Sequence, residues 1–133
     1  MKFRYPLFCL ALLALNMTVL QAQDSPPALQ TGEVSPNIHV IAGAGGNIGV
    51  FSGADGVFVI DDGMPNVIEP VARAIAAIES IGEQPVRMLF NTHWHFDHVG
   101  GNEYFAGQGT VIIAHDNVRK RMSSAQFSKL MNA

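Results

Sequence analysis

The chain has 133 residues with a formal net charge of −3, 48% hydrophobic and 14% charged residues. One small domain fits that length, and the apolar share excludes a disordered chain. The only basic cluster is Arg119-Lys120-Arg121, read here as the solvated face of a helix, so no nucleic acid is expected as a partner.

Lys2 and Arg4 precede an almost unbroken apolar run from Leu7 to Leu15, and polar residues follow from Gln21. A positive start and a short apolar core are the pattern of a secretory signal peptide. The run is too short to span a bilayer as a stable helix. Residues 1–22 are therefore expected to be removed on export to the periplasm or medium, and no stable membrane anchor is expected. Cys9, the single cysteine, would leave with the signal, so the mature chain would offer neither thiolate ligand nor disulfide.

Residues 23–36 carry Pro26, Pro27 and Gly32 and read as a flexible leader, and residues 37–133 as the folded unit. Ile38–Ile41 is a short strand, and Ala42-Gly43-Ala44-Gly45-Gly46 a turn. No Gly-Lys-Ser/Thr follows those glycines, so they do not form a phosphate loop. Residues 47–52 and 57–60, rich in Val, Ile and Phe, flank Gly53-Ala54-Asp55-Gly56 as a hairpin. Val67, Val71, Ala74, Ile75, Ile78 and Ile81 share one face of a helix over 67–81, closed by Gly82. Residues 86–90 and 111–114 read as strands buried on both faces, and 116–130 as a second helix. Strand and helix alternating after a hairpin argue an α/β fold in layers.

The chemistry follows the strand over 86–90. His93-Trp94-His95-Phe96-Asp97-His98 brings three histidines and an aspartate into six positions, before Gly100-Gly101. In extended chain, residues two apart point the same way, so His93 and His95 can reach one ion. Asp97 and His98 lie past a change of direction and can reach a second position. Imidazole and carboxylate suit a borderline divalent ion such as zinc.

His93-x-His95-x-Asp97-His98, extended through Val99-Gly100-Gly101-Asn102, resembles the metal-binding loop of the metallo-β-lactamase-fold hydrolases. Val59-Ile60-Asp61-Asp62-Gly63 is similar to the strand end those proteins set beside the loop. The resemblance runs from about Ile38 onward and implies an αββα sandwich, of which this chain supplies the first half. It also implies one or two Zn²⁺ ions (or another divalent metal), the first held by His93 and His95 and the second by Asp97 and His98. Asp61 would accept hydrogen bonds that orient the loop, with Asp62 a weaker candidate for the same task. The function implied is a zinc-dependent hydrolase of small molecules, with metal-bound hydroxide attacking a carbonyl or ester-type substrate. Asp97 would also be the catalytic group that orients the water or takes its proton.

The family's sites need further ligands from later in the chain. After His98 the ligand candidates are His115 and Asp116, and both are expected in a turn and helix cap. His39 is expected to be structural. The alternative is therefore a truncated, inactive metal-binding fragment. A sheet face lacking its partner would invite self-association, with Ile48, Val50, Phe58, Ile60 and Leu89 expected among the residues left without partners.

Overall fold

The computed structural model describes residues 28–82 and 84–125, so the signal segment, the start of the leader and the C-terminal end lie outside the described residues. Six strands form one sheet in chain order. They are β1 (Gln30–Ser35), β2 (Ile38–Ala44), β3 (Gly46–Gly53), β4 (Gly56–Ile60), β5 (Val86–Asn91) and β6 (Val111–Ala114). The first four pair antiparallel through short turns. β4, β5 and β6 pair parallel, with the helices carried on the crossovers.

Between β4 and β5 a single 3-10 turn (Pro65–Val67) leads into α1 (Ile68–Ala76). The helix is shorter than its apolar spacing suggests. After Ala76 the chain passes into turns, and Gly82 at φ 57° closes the last one, its N–H donating to the Ile78 carbonyl. Ile78 and Ile81 remain buried, because turns can present the same apolar face as a further helical stretch. Two short helices follow β5, α2 (Phe96–Val99) and α3 (Asn102–Gly107), and α4 (Asp116–Met122) follows β6. Continuation of α4 to residue 130 lies outside the described residues.

Part of the segment read as a flexible leader is a strand. β1 pairs along β2, Thr31 with Ile41 and Glu33 with His39. It is an edge strand with five of its six residues exposed, so its sequence shows no apolar alternation.

One face of the sheet is built by Ile41, Ile48, Val50, Val57, Val59 and Leu89, all at 0–1% exposure. Val67, Ile68, Val71 and Ile75 pack onto it from the α1 side, and Phe105 from α3. Each such side chain contributes about 1.5–3 kcal/mol of transfer free energy, so this layer carries the fold.

The opposite face holds two cross-strand rows. Ile38, Phe51, Phe58, Met88 and Val111 stand in one register, and Val40, Gly49, Ile60, Phe90 and Ile113 in the next. Ile60 is 49% exposed, Phe90 36% and Val111 56%. β5 and β6 are thus covered on one face only by the described residues. The open face includes Phe58 and Ile60 but not Ile48, Val50 and Leu89, which pack under the helices. Alternation along a strand fixes this: Leu89 and Phe90 must point to opposite faces.

Candidate metal centre

The loop leaves the sheet at the C-terminal end of β5, beside the end of β4. There Asp61 adopts φ 59°, the only non-glycine residue at positive φ among those described. Such a conformation costs about 1 kcal/mol or more and persists only where surroundings enforce it. Here the Asp61 N–H donates to the Phe90 carbonyl at 2.9 Å. Its carboxylate accepts from the Thr92 N–H at 2.8 Å on Oδ1, and from the Thr92 hydroxyl at 2.7 Å on Oδ2. Oδ2 also lies 2.8 Å from His98 Nδ1.

These bonds fix two imidazoles. A carboxylate only accepts, so His98 Nδ1 carries the proton and its Nε2 presents a lone pair. The Thr92 hydroxyl has one hydrogen, given to Asp61, so at 3.0 Å from His93 Nδ1 it acts as the acceptor. His93 therefore also holds its proton on Nδ1 and offers Nε2. One buried carboxylate orients two histidines, His98 directly and His93 through Thr92.

Among the described residues, Asp61, His93 and His98 can bring one ligand atom each to within 4.8 Å of one another. The Asp61 oxygens are already engaged, so its geometry is that of an orienting group. Asp97 lies next to His98, its Oδ2 3.4 Å from His98 Nε2. The His93 and His98 rings stand 4.0 Å apart between centroids, and His93 and His95 4.7 Å. His95 is exposed, flanked edge-on by Trp94, and opens α2 with its carbonyl accepting from the His98 and Val99 amides. His93, Asp97 and His98 thus sit at one end of the sheet, with His95 at the rim. Imidazole nitrogens with free lone pairs beside a carboxylate are a donor set that fits a borderline divalent ion.

Positions that the sequence ranked low, or to which it gave no role, hold this arrangement. Asp62 is fully buried and accepts from the Gly101 N–H at 2.8 Å, while its own N–H donates to the His98 carbonyl at 3.1 Å. Its second oxygen has no hydrogen-bond partner. Burial pushes the Asp62 carboxyl up to about 7, aided by the charge of Asp61 and opposed by the Gly101 bond and by His98. A Cβ at Gly101 would meet the Ile68 side chain at 2.8 Å and Asp62 at 3.0 Å. The Asn91 and Asn102 side chains exchange two hydrogen bonds, 2.9 and 3.0 Å, and tie the strand end to α3. The glycine turn supports the loop from behind: a Cβ at Gly46 would stand 2.5 Å from the His98 ring.

The remaining polar candidates lie apart. His39 is buried in β2 opposite Glu33 and Val50. His115, rather than Asp116, caps α4, its Nδ1 accepting from the Asn117 N–H at 3.1 Å. Asp116 is the first helical residue, where its charge suits the helix N-terminus.

Residues 41–130, more than half of the chain, match the family model described as the metallo-β-lactamase superfamily. The chain belongs to this superfamily. Among solved structures it resembles MEM-A1, a subclass B3 metallo-β-lactamase from a soil metagenome library, at 25% identity and TM-score 0.65, over 78% of this chain and 39% of that one. It resembles a B3 metallo-β-lactamase with an active-site glutamic acid at 22% identity and TM-score 0.63, over 85% and 42% of the two chains. A motif mutant of the metallo-β-lactamase from Cronobacter sakazakii aligns at 21% identity and TM-score 0.60, over 72% and 38%. Identities this low speak to fold, and the fold described is one half of the superfamily's αββα sandwich. The chain spans about two fifths of the length of these solved proteins. None of the curated proteins compared matches it.

Proposed function

We propose that the chain carries the metal-binding half of an exported zinc-dependent hydrolase acting on a small molecule with a carbonyl or ester-type centre. The observation that supports this most is the convergence of Asp61, His93 and His98 at the ends of β4 and β5, with Asp61 fixing both imidazoles and Asp97 beside His98. His93 and His95 would hold one ion, Asp97 and His98 a second. Bound zinc lowers the pKa of a coordinated water to about 7 and polarises a carbonyl or phosphoryl oxygen.

The chain's own residues supply orientation and proton handling. Asp61 keeps the His93 and His98 lone pairs aimed outward. Asp97, half-buried beside His98, would orient a water or take its proton. The loop sits beyond the C-terminal ends of parallel strands, where substrate can reach it without crossing the core.

A second reading, a metal-binding chain without turnover, is supported by the ligand inventory. A catalytic zinc keeps three protein ligands and one open position. Among the described residues, His39 is buried in β2 and His115 caps α4, and neither belongs to the group of Asp61, His93 and His98.

Export rests on Lys2, Arg4 and the apolar run that follows, which lie outside the described residues. Among those described, no helix is long and apolar enough to cross a membrane. One preparation tests the proposal. Protein recovered from the periplasm should begin near Gln23 and contain one or two zinc ions, and the His93→Ala, His95→Ala double variant should lose most of the first ion. Unchanged zinc content in that variant would defeat the ligand assignment. Turnover on a chromogenic cephalosporin and on generic ester and phosphodiester substrates separates the two readings.

A further inference from the structure

An open cleft of about 770 Å³ runs between the metal loop and α4, with Thr92, His93 and Trp94 on one side and His115, Lys120 and Arg121 on the other. That size suits a small molecule. The chain is net negative, yet no aspartate or glutamate lines this cleft, and its formal charges are the cations Lys120 and Arg121. The Arg121 guanidinium lies 5.7 Å from the centre of the Trp94 ring, within cation–π range, which positions the cation beside a flat apolar surface. His115 adds a donor, since Nδ1 accepts from Asn117 and the neutral ring therefore carries its proton on Nε2.

We propose that this cleft receives an anionic group of the substrate, a carboxylate or phosphate attached to a flat apolar body, with Lys120 and Arg121 as the specificity-determining residues. The inference rests on the proposed hydrolytic reading, because His93 borders both the cleft and the metal centre. Cations in the last turn of α4 also complement the helix C-terminus. That accounts for a basic turn, including Arg119, but not for two of its three cations lining one cleft with an aromatic ring.

Trp94 is the chain's single tryptophan, so its fluorescence reports occupancy. The full chain, held in EDTA, is titrated with benzoate, phenyl phosphate and neutral benzamide at fixed ionic strength. Zinc uptake is measured separately, so failure of metal binding leaves this test intact. Both anions should give a saturable change, weaker at high salt, and benzamide should give none. Lys120→Gln with Arg121→Gln should weaken the anions about tenfold or more, the scale of one lost charged hydrogen bond. Lys120→Arg should retain binding, and Arg119→Gln, outside the cleft lining, should leave it unchanged. A preference between benzoate and phenyl phosphate would sharpen the anion's identity. An equal response to benzamide, or equal losses in Arg119→Gln and the double variant, would overturn the proposal.

Discussion

The two faces of the sheet are made of similar residues and live in different surroundings. Val59 and Leu89 are adjacent in register, fully buried, and roofed by α1. Ile60 and Phe90, the next pair along the same two strands, are 49% and 36% exposed. An apolar side chain stabilises a fold by what covers it, so equal hydrophobicity on the two faces does not mean equal contribution. The candidate metal centre is anchored to the covered side: Asp62 is buried and bonded to the Gly101 N–H, and the Asp61 carboxylate holds Thr92 and His98. The open face carries apolar area with no structural task among the described residues.

The largest effect should come from the covered face. Leu89→Ala removes a fully buried side chain under a helix layer and should cost about 2–5 kcal/mol, read by urea denaturation. A loss below about 1 kcal/mol would show that α1 does not pack on β5 in solution, and the contrast between faces would disappear.

The same contrast shows what could be read from sequence. The hairpin was legible because glycines punctuate runs of β-branched residues, and the loop because its candidate ligands are neighbours in the chain. β1 was not, because an exposed edge strand owes its shape to pairing with β2 rather than to a local pattern. Strands β5 and β6 read as apolar nearly throughout. Met88, Phe90, Val111 and Ile113 suit strands buried on both faces, while the described residues cover one. The Asp62–Gly101 and Asp61–Thr92 bonds join positions far apart in sequence, which no local pattern encodes. Asp61 could be singled out only by resemblance, and Asp62 was underrated because a turn aspartate looks the same whether exposed or buried.

A smaller effect is expected at Asp62, where the covered face meets the candidate metal centre. Its carboxyl is pushed up to about 7 by burial, from an ordinary value of 3.8. Between those values the folded protein keeps a proton that the unfolded chain releases. Stability should therefore fall as pH rises from about 4 to 7 and level off above, by at most about 1.4 kcal/mol per pH unit. Asp62→Asn retains a carbonyl acceptor for the Gly101 N–H and removes the titration. In EDTA, the difference between wild type and Asp62→Asn should grow in the variant's favour across that window. A difference independent of pH would mean that Asp62 is ionised throughout, stabilised by its neighbours rather than strained by burial.

The smallest effect on stability should be on the open face, and there the readout changes. Ile60→Thr and Phe90→Thr replace half-exposed apolar side chains with a good strand former, so each should alter unfolding free energy by about 0.5 kcal/mol or less. The two residues are paired in register, flanked by Gly49 and Ile113, and belong to a contiguous apolar surface that water does not favour. Association through this face would bury that surface against a second copy. Sedimentation of the full chain should then show concentration-dependent oligomers, shifted towards monomer in the double variant, with the helical content and urea midpoint of the monomer retained. If the double variant instead loses as much stability as Leu89→Ala, these side chains are covered within the folded monomer. The two faces would then be equivalent, and the sheet would be buried on both sides by its own chain.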